Sequence, residues 1–420
     1  MKPLSEKHWL VLDSLRSKGA EGATRAGLAA ELKMTWPTVN EALSRLSERG
    51  MIADNSGVCT VNPNWGCFIG IDIGSTVFKP YLLNFAFDSE SLMEDDNPIS
   101  TGGGNPVEIQ MNLRHFIADI IEQIEQRGQN LIGLGLAWPG AVKNNRLKFS
   151  EGGEIDITRV ISLIDTTTDK QLTVGNNTVV TVDGEPRTVE EDNNMILTVD
   201  NASMCGLVAE KELGLSGSKP RPEKNIFYVS LRTNIGSASL INDQLCRGSH
   251  NLAGNFGNII VPHDPECLCK RINGGSSADV KLKEEISPKS LEKLAYKMFG
   301  IEAKPEEFQK WAEKTPKDQD WSPEQSRGGL EIYEHFGRYL AKGLASVINI
   351  LDPDAIILAG GLSRAYHLFS FPMFQELHRL VGHEAAEAVP IEPAHFMPRS
   401  GPAIGAAIMA YKKWQKTLTN

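Results

Sequence analysis

Residues 68–83, FIGIDIGSTVFKPYLL, are the stretch whose reading decides the fold. Phe68 to Ile73 has strand character, with β-branched and aromatic residues and Gly70 as its one breaker. Gly74-Ser75-Thr76 makes a tight turn, and Val77 to Leu83 is a second apolar run. Strand, turn and returning strand form a hairpin whose tip exposes backbone N–H groups and two hydroxyls. Such a tip can hold phosphate oxygens, so Gly74, Ser75 and Thr76 are candidate nucleotide-binding residues. Asp72, at the end of the first strand, could hold a metal or a water beside them. An ordinary hairpin satisfies the same pattern, so the flanking sequence has to choose.

At 420 residues the chain has room for two or three domains and a sizeable core. Its 41% hydrophobic and 23% charged residues are those of a soluble globular protein. A net charge of −10 excludes a nucleic-acid coat over the whole chain. The acidity is uneven, however: residues 1–54 hold eight Lys/Arg against seven Asp/Glu, which leaves room for a small DNA-binding module there. The six cysteines, at 59, 67, 205, 246, 267 and 269, are scattered and fit reduced thiols rather than a disulfide framework. No apolar run approaches the ~20 residues that cross a bilayer. The start, MKPLSEKHWL, has no signal-peptide h-region. A cytoplasmic protein without a membrane partner is expected.

Upstream of the hairpin the chain is small and helical. Glu6 to Lys18 carries Trp9, Leu10, Leu12 and Leu15 at helical spacing, and Gly19 stops it. Thr24 caps a second short helix, Arg25 to Leu32. Thr35 caps a third, whose first turn tolerates Pro37. Val39, Ala42, Leu43 and Leu46 share one face of that helix; Trp36, Pro37, Thr38, Asn40, Glu41, Ser44 and Arg45 lie on the other or at its start. Met51-Ile52, a tip at Asn55-Ser56-Gly57 and Val58 to Val61 make a hairpin. Three helices and a hairpin are the order of a winged helix-turn-helix, in which the third helix enters the major groove. Thr35, Trp36, Pro37, Thr38, Asn40, Glu41, Ser44 and Arg45 are therefore the candidate DNA-binding residues. Asn40 could bond adenine edges and Arg45 a guanine or a phosphate. A helical adaptor that binds protein is the plainer alternative. Asn62-Pro63-Asn64 punctuates the junction, and Val61 to Trp65 is too short a link for independent tumbling.

Downstream, helices and strands alternate. Pro106 to Arg127 reads as a helix with Leu113, Phe116, Ile117, Ile120, Ile121 and Ile124 inward; Leu131 to Ala137 is a strand, and Trp138-Pro139-Gly140 a turn. Ile155 to Asp165 has a helical pattern. Leu172 to Val189 reads instead as β-hairpins, an insertion. Met195 to Val199 is a strand, and Asp200-Asn201-Ala202-Ser203 opens a helix. Ile226 to Leu231 and Ala238 to Ile241 are strands around a turn holding Thr233 and Gly236. Leu330 to Leu351 is a long helix, Ala355 to Ala359 a strand, and Gly360-Gly361 a turn able to cradle a nucleotide. Gly401 to Lys416 is a closing helix.

The chain resembles the ROK family of repressors, open reading frames and sugar kinases over nearly all of residues 5–415, with a poor patch near 150–194. The matching landmarks are MTWPTVNEALSRLSERGMI, IGIDIGSTVFKPYLL, GLGLAWPGAV, VDNASMCGLVAE, RTNIGSASLINDQLCRGSHNLAGNFGN, INILDPDAIILAGGLS and GPAIGAAIMAY. The resemblance implies an α/β, actin-like ATPase fold of two lobes with a ligand cleft between them, preceded by a winged helix-turn-helix. The expected divisions are 1–64 for the DNA-binding domain, 65–195 for the N-terminal lobe and 196–420 for the C-terminal lobe, with the hairpin insertion near 172–190. It also implies that helix-turn-helix members are sugar-responsive regulators and form homodimers or dimers of dimers.

Departures from the family pattern bear on function. The kinases carry Asn-Asp-Ala where this chain has Asp200-Asn201-Ala202, and the family Asp is the base that takes the sugar hydroxyl proton. An Asn amide has no basic site for it. The phosphate turn Gly-Thr-Gly-Ile-Gly reads Arg232-Thr233-Asn234-Ile235-Gly236, and side chains at those glycine positions hinder close approach to a phosphate. Asp72, Gly74, Ser75, Thr76, Thr233, Gly236, Gly360 and Gly361 are thus a vestigial nucleotide site. The family's AGEIGH, whose Glu and His help hold the sugar, reads Ala253 to Asn258. Its zinc ligands, one His and three Cys, are matched by Asn258, Cys267, Cys269 and Gly274, with His263 a nearby substitute. Two thiolates do not complete a structural zinc site. No catalytic residue, no resident metal and no ATP or zinc cofactor are expected.

Asp200, Asn201, Asn255 and Asn258, with Pro139 and Gly140, remain polar and small enough to bind a polyol. The reading is a DNA-binding transcriptional regulator, by default a repressor, of carbohydrate metabolism, with operator DNA and a sugar or sugar-like effector as partners. A working ATP-dependent sugar kinase and a ligand-independent DNA-binding protein are the alternatives.

Overall fold

The computed structural model describes residues 3–74, 76–93, 100–101, 106–143, 146–148, 154–156, 177–182, 185–190, 196–214, 219–262, 279–300, 302–396 and 399–419. The chain divides into two units, Met1–Arg221 with Pro398–Asn420, and Pro222–Met397.

The first unit begins with helices α1 (Glu6–Lys18), α2 (Arg25–Glu31) and α3 (Trp36–Glu48). Thr24 caps α2 by accepting from Gly27 N, and Thr35 caps α3 by accepting from Thr38 N, as their residue types require. Val39, Ala42, Leu43 and Leu46 of α3 are buried, the stripe expected of an amphipathic helix. Strand β1 (Ala23–Thr24) and the hairpin β2 (Ile52–Asn55) and β3 (Val58–Val61) form a small sheet in the order β1-β3-β2. Ser56 and Gly57, both with positive φ, turn the hairpin tip.

The larger sheet of this unit contains β4 (Cys67–Ile73), β5 (Phe78–Asn84) and β6 (Ser89–Ser91). After helix α4 (Pro106–Gln126) comes β7 (Leu131–Trp138), then a small sheet of β8 (Val142–Lys143), β9 (Arg146–Lys148) and β10 (Glu154–Asp156). The helical pattern expected at 155–165 gives way at its start to β10; residues 157–165 lie outside the described residues. β11 (Asn177–Val182) and β12 (Glu185–Glu190) pair antiparallel, as the hairpin reading requires. β11 also pairs in parallel with β13 (Ile196–Asn201), so the hairpin joins the larger sheet. The resulting sheet runs β12-β11-β13-β7-β4-β5-β6, and helix α5 (Ala202–Leu213) follows β13.

The closing helix, Gly401–Thr419, belongs to the first unit and lies against β4, β7 and α5. Glycine permits the approach: a Cβ on Gly70 would stand 1.8 Å from Ala403 O, and one on Gly135 2.0 Å from Ala406 O. The boundary expected at 195/196 is therefore corrected. Residues 196–221 and 398–420 group with the first unit because β13 pairs with β7 and the closing helix packs on that sheet.

The second unit holds a five-stranded sheet, with β14 (Ile226–Leu231), β15 (Ile235–Ile241) and β16 (Gln244–Leu245) on one side. The pair β17 (Ile260–Val261) and β18 (Val280–Lys281) leads into helices α6 (Leu282–Ile286), α7 (Pro288–Phe299), α8 (Pro305–Glu313) and α9 (Pro323–Leu351). β19 (Ala355–Ala359) pairs in parallel with β14. Helices α10 (Tyr366–Val381) and α11 (His383–Ala388) precede β20 (Ile391–Pro393), the far edge of the sheet. Tyr333, Phe336, Leu340 and Leu344 of α9 and Phe369, Met373 and Leu377 of α10 fill its core. Among the described residues no helix is long and apolar enough to cross a membrane.

Candidate functional site

Parallel strands place their carboxyl ends together, and in open α/β sheets that edge is where ligands bind. In the first unit β4, β7 and β13 run parallel, with Asp72 opposite Ala137, and Asp200 and Asn201 opposite Ala137 and Trp138. The topology thus brings Asp72, Pro139, Gly140, Asp200 and Asn201 to one sheet edge.

Both ends of the Asn201 amide are engaged there. Its Oδ1 accepts from Ser203 N at 2.9 Å, which caps α5, and its Nδ2 donates to Gly140 O at 2.8 Å. Its own N–H donates to Asp200 Oδ1 at 2.8 Å. A carboxylate at 201 could cap the helix, yet it has no proton to donate to the Gly140 carbonyl. The amide therefore ties the Pro139-Gly140 turn to the start of α5.

Asp72 is 1% exposed, and its Oδ2 accepts from Ser400 Oγ at 2.7 Å. Ser400 Oγ in turn accepts from Ala403 N in the first turn of the closing helix. The carboxylate read from sequence as a metal or water ligand is thus joined to that helix. At the hairpin tip Gly74 N donates to Val77 O at 3.1 Å, and Thr76 is exposed. Ser75 lies outside the described residues.

The second unit holds Thr233, Gly236, Gly360 and Gly361, the other residues expected at a nucleotide. β14 and β19 end side by side, Ser230 opposite Ala359. Gly360 has φ +99°, and a Cβ there would stand 2.4 Å from Leu231 O, so this turn fits only glycine. Thr233 and Gly236 sit in and just after the β14–β15 turn beside it, and Gly361 opens the short 3-10 turn that follows. Arg232 is half-buried, and Thr233 and Asn234 are exposed. Asn255 and Asn258 are exposed on a loop held to β15 by Ser237 N donating to Gly254 O at 2.8 Å. Asn255 Nδ2 donates to Leu252 O at 2.9 Å. The proposed ligand residues therefore divide: Pro139, Gly140, Asp200 and Asn201 in the first unit, Asn255 and Asn258 in the second. His263, Cys267 and Cys269 lie outside the described residues.

The N-terminal head presents its own surface. Thr35, Trp36, Pro37, Glu41 and Ser44 are exposed, Trp36 by 55%, and Thr38 is half-exposed. Arg45 Nε meets Glu41 Oε1 at 2.7 Å, one helical turn away. Asn40 Oδ1 accepts from Arg25 Nε at 3.2 Å, and Arg25 reaches Asp54 of β2 at 2.6 Å. That pairing holds the Asp54 carboxyl below its ordinary pKa, Arg25 first and the Gly57 N–H second. Arg25 bridges α2, α3 and the β2–β3 hairpin, a role the sequence reading missed; its position just after the Thr24 cap was the available signal.

The head is joined to the closing helix. Arg16, 8% exposed, donates to Phe85 O at 3.0 Å and to the Tyr411 hydroxyl at 2.6 Å. Its guanidinium lies 4.2 to 4.9 Å from the Phe85, Phe87 and Tyr411 rings. Trp414 packs against Trp9 and Trp65, Trp9 Nε1 donates to Thr419 Oγ1 at 2.9 Å, and Leu4 N donates to Leu418 O at 2.9 Å.

The profile of the ROK family matches residues 68–413. A xylose repressor of Bacillus subtilis is 22% identical over 405 residues, covering 91% of this chain and 89% of its own. A glucokinase of Halalkalibacterium halodurans is 22% identical over 299 residues, 71% of this chain and 81% of its own. A crystal structure of a ROK family transcriptional regulator, a homologue of the Escherichia coli MLC protein, superposes with a TM-score of 0.67 at 14% identity, over 98% of this chain and 99% of that one.

Proposed function

The chain belongs to the ROK family and has its actin-like two-lobed α/β fold, and from that premise we propose that it is a sequence-specific DNA-binding transcriptional regulator that senses a sugar or sugar-like ligand. The observation that carries this reading is Asn201. It stands where the kinases hold their general base, and both ends of its amide are engaged in structure, one capping α5 and one tying down Gly140. Loss of a general base typically costs about 10²–10⁴ in rate. Arg232 and Asn234 in the β14–β15 turn weigh in the same direction.

DNA reading falls to the head. Trp36, Thr38, Asn40, Ser44 and Arg45 of α3 face solvent wholly or in part, and the β2–β3 hairpin stands beside them as a wing. As a symmetric dimer the protein would bind two half-sites about one helical turn, or a multiple, apart. Signal transfer falls to the closing helix. At ~1.5 Å per residue it spans about 16 Å from the Asp72–Ser400 pair at the sheet edge to the Arg16–Tyr411 junction under the head. A ligand that moves the sheet edge moves the helix start, and can change operator affinity only by its differential affinity for two states, typically ~1–3 kcal/mol.

A regulator named for xylose is among the relatives, and pentoses therefore enter the effector panel first. Footprinting on the parent genome, followed by operator titrations with and without a pentose, hexose and N-acetylhexosamine panel, tests the reading. A protected site whose affinity shifts with one sugar supports it. No protected site at moderate salt overturns it. The alternative, a sugar kinase, draws on the glucokinase relative, and sugar phosphorylation of about one per second in a coupled ATP assay would establish it.

A further inference from the structure

We propose that His378, His383 and Glu387 form a binding site for a divalent first-row transition metal of the zinc type, on the surface of the second unit and apart from every motif considered above. The backbone builds the cluster. His378 lies in the last turn of α10. Gly382, at φ +84°, reverses the chain into α11, and its N–H donates to His378 O at 3.1 Å. His383 opens α11, and Glu387 follows four residues later on the same helical face. Leu377 and Ala386, fully buried beside His378 and Glu387, anchor the two helices and so hold all three ligands in place.

The side chains already converge. His378 Nε2 lies 2.9 Å from Glu387 Oε1. The His378 and His383 rings stack with centroids 4.6 Å apart and planes 16° apart. One ligand atom from each residue lies within 4.8 Å of the other two, the single such group of three among the described residues. With Zn–N and Zn–O bonds of ~2.0–2.2 Å, tetrahedral ligand atoms stand about 3.3 Å apart. Closing on an ion therefore needs inward shifts of at most roughly 1.5 Å, within reach of ordinary side-chain rotation. His383 and Glu387 are exposed and His378 is half-buried, so an ion can enter from solvent, and the exposed His383 ring can turn out of its stack to aim its in-plane lone pair at the ion.

The donor set selects the ion. Two imidazoles and one carboxylate suit zinc and its neighbours, whereas magnesium and calcium take oxygen ligands. Three protein ligands leave a fourth position for water. Bound metal would cross-link α10 to α11, the element leading into edge strand β20.

The test is zinc titration of the full chain after chelator treatment, with equivalents counted by calorimetry and by elemental analysis after desalting. Three variants accompany the parent. H383A/E387Q is expected to lose one equivalent and the zinc-dependent rise in melting temperature. C267S/C269S removes the thiols near His263 and is expected to keep that equivalent. E384Q, which alters an exposed carboxylate of α11 outside the cluster, is expected to match the parent. If H383A/E387Q does not fold, as judged by circular dichroism without metal, H378Q takes its place. Equal equivalents in the parent and the cluster variant, or loss of all zinc binding in C267S/C269S, would overturn the proposal.

Discussion

Replacing Arg16 with methionine tests whether the head is held as a working part of the first unit. Methionine keeps the apolar contacts with Phe85, Phe87 and Tyr411 while removing the guanidinium. Three charge-assisted hydrogen bonds go with it, to Phe85 O, to the Tyr411 hydroxyl and to the half-exposed Asp13 carboxylate, the first two each worth about 1.5–3 kcal/mol and the third less for its exposure. Cation–π attraction over the three rings adds about 0.5–2 kcal/mol. Against this stands relief from burying a cation whose Nη2 has no hydrogen-bond partner among the described residues. The net expected loss is about 2–4 kcal/mol, centred on the junction rather than on either core. Trp9, Trp65 and Trp414 all lie at that junction, so their fluorescence reports on it directly. Urea unfolding of the variant should show an early tryptophan transition, with proteolytic cutting near residues 62–66. Operator binding should persist while the response to effector weakens. One unchanged transition, at the parent's midpoint and with the full effector response, would refute the role given to Arg16 and to the closing helix.

Asn201→Asp should lose the bond to Gly140 O and set a carboxylate against that carbonyl, destabilising by about 1–3 kcal/mol in thermal melts; sugar phosphorylation near one per second in this variant would mean that the β14–β15 turn still serves a nucleotide. In the head, Asn40→Ala and Arg45→Ala should each weaken operator binding by about 1–3 kcal/mol if the residue reads a base. Glu41→Ala, which releases Arg45 and removes a negative charge, should strengthen binding, and a weaker complex in gel-shift titrations would contradict that. Burial pushes the Cys67 thiol and the Tyr411 phenol each up to about 12, from ordinary values of 9.0 and 10.0. Between those limits the unfolded chain releases protons that the folded chain keeps, so this stabilisation is complete below pH 9 and fades as pH rises towards 12. Denaturant midpoints measured across that range should fall with pH, and Cys67→Ala should flatten the first part of the slope.

Local rules written into the chain determined the head. Gly19 stops α1, Thr24 and Thr35 cap α2 and α3, Pro37 fits the first turn, and Ser56-Gly57 makes the wing tip. Each is a short-range effect of backbone geometry or of one hydrogen bond, and each is legible over four or five residues. The hairpin of β4 and β5 and the strands at 131–137, 226–231 and 355–359 were legible as apolar runs, the first of these strands running one residue further, through Trp138. Tertiary structure alone decided how those pieces share residues distant in sequence. The closing helix returns to the first sheet because Gly70 and Gly135 leave it room, and pairing across hundreds of residues has no local signature. Arg16 carries no signal in the sequence of α1; only the fold surrounds it with Phe85, Phe87 and Tyr411. Asn201 could be read from sequence as a missing base. That its amide also clamps Gly140 to α5 follows only from the register that sets β13 beside β7. His383 and Glu387 stand at helical i, i+4 spacing, but only the positive-φ glycine between two helices brings His378 to them.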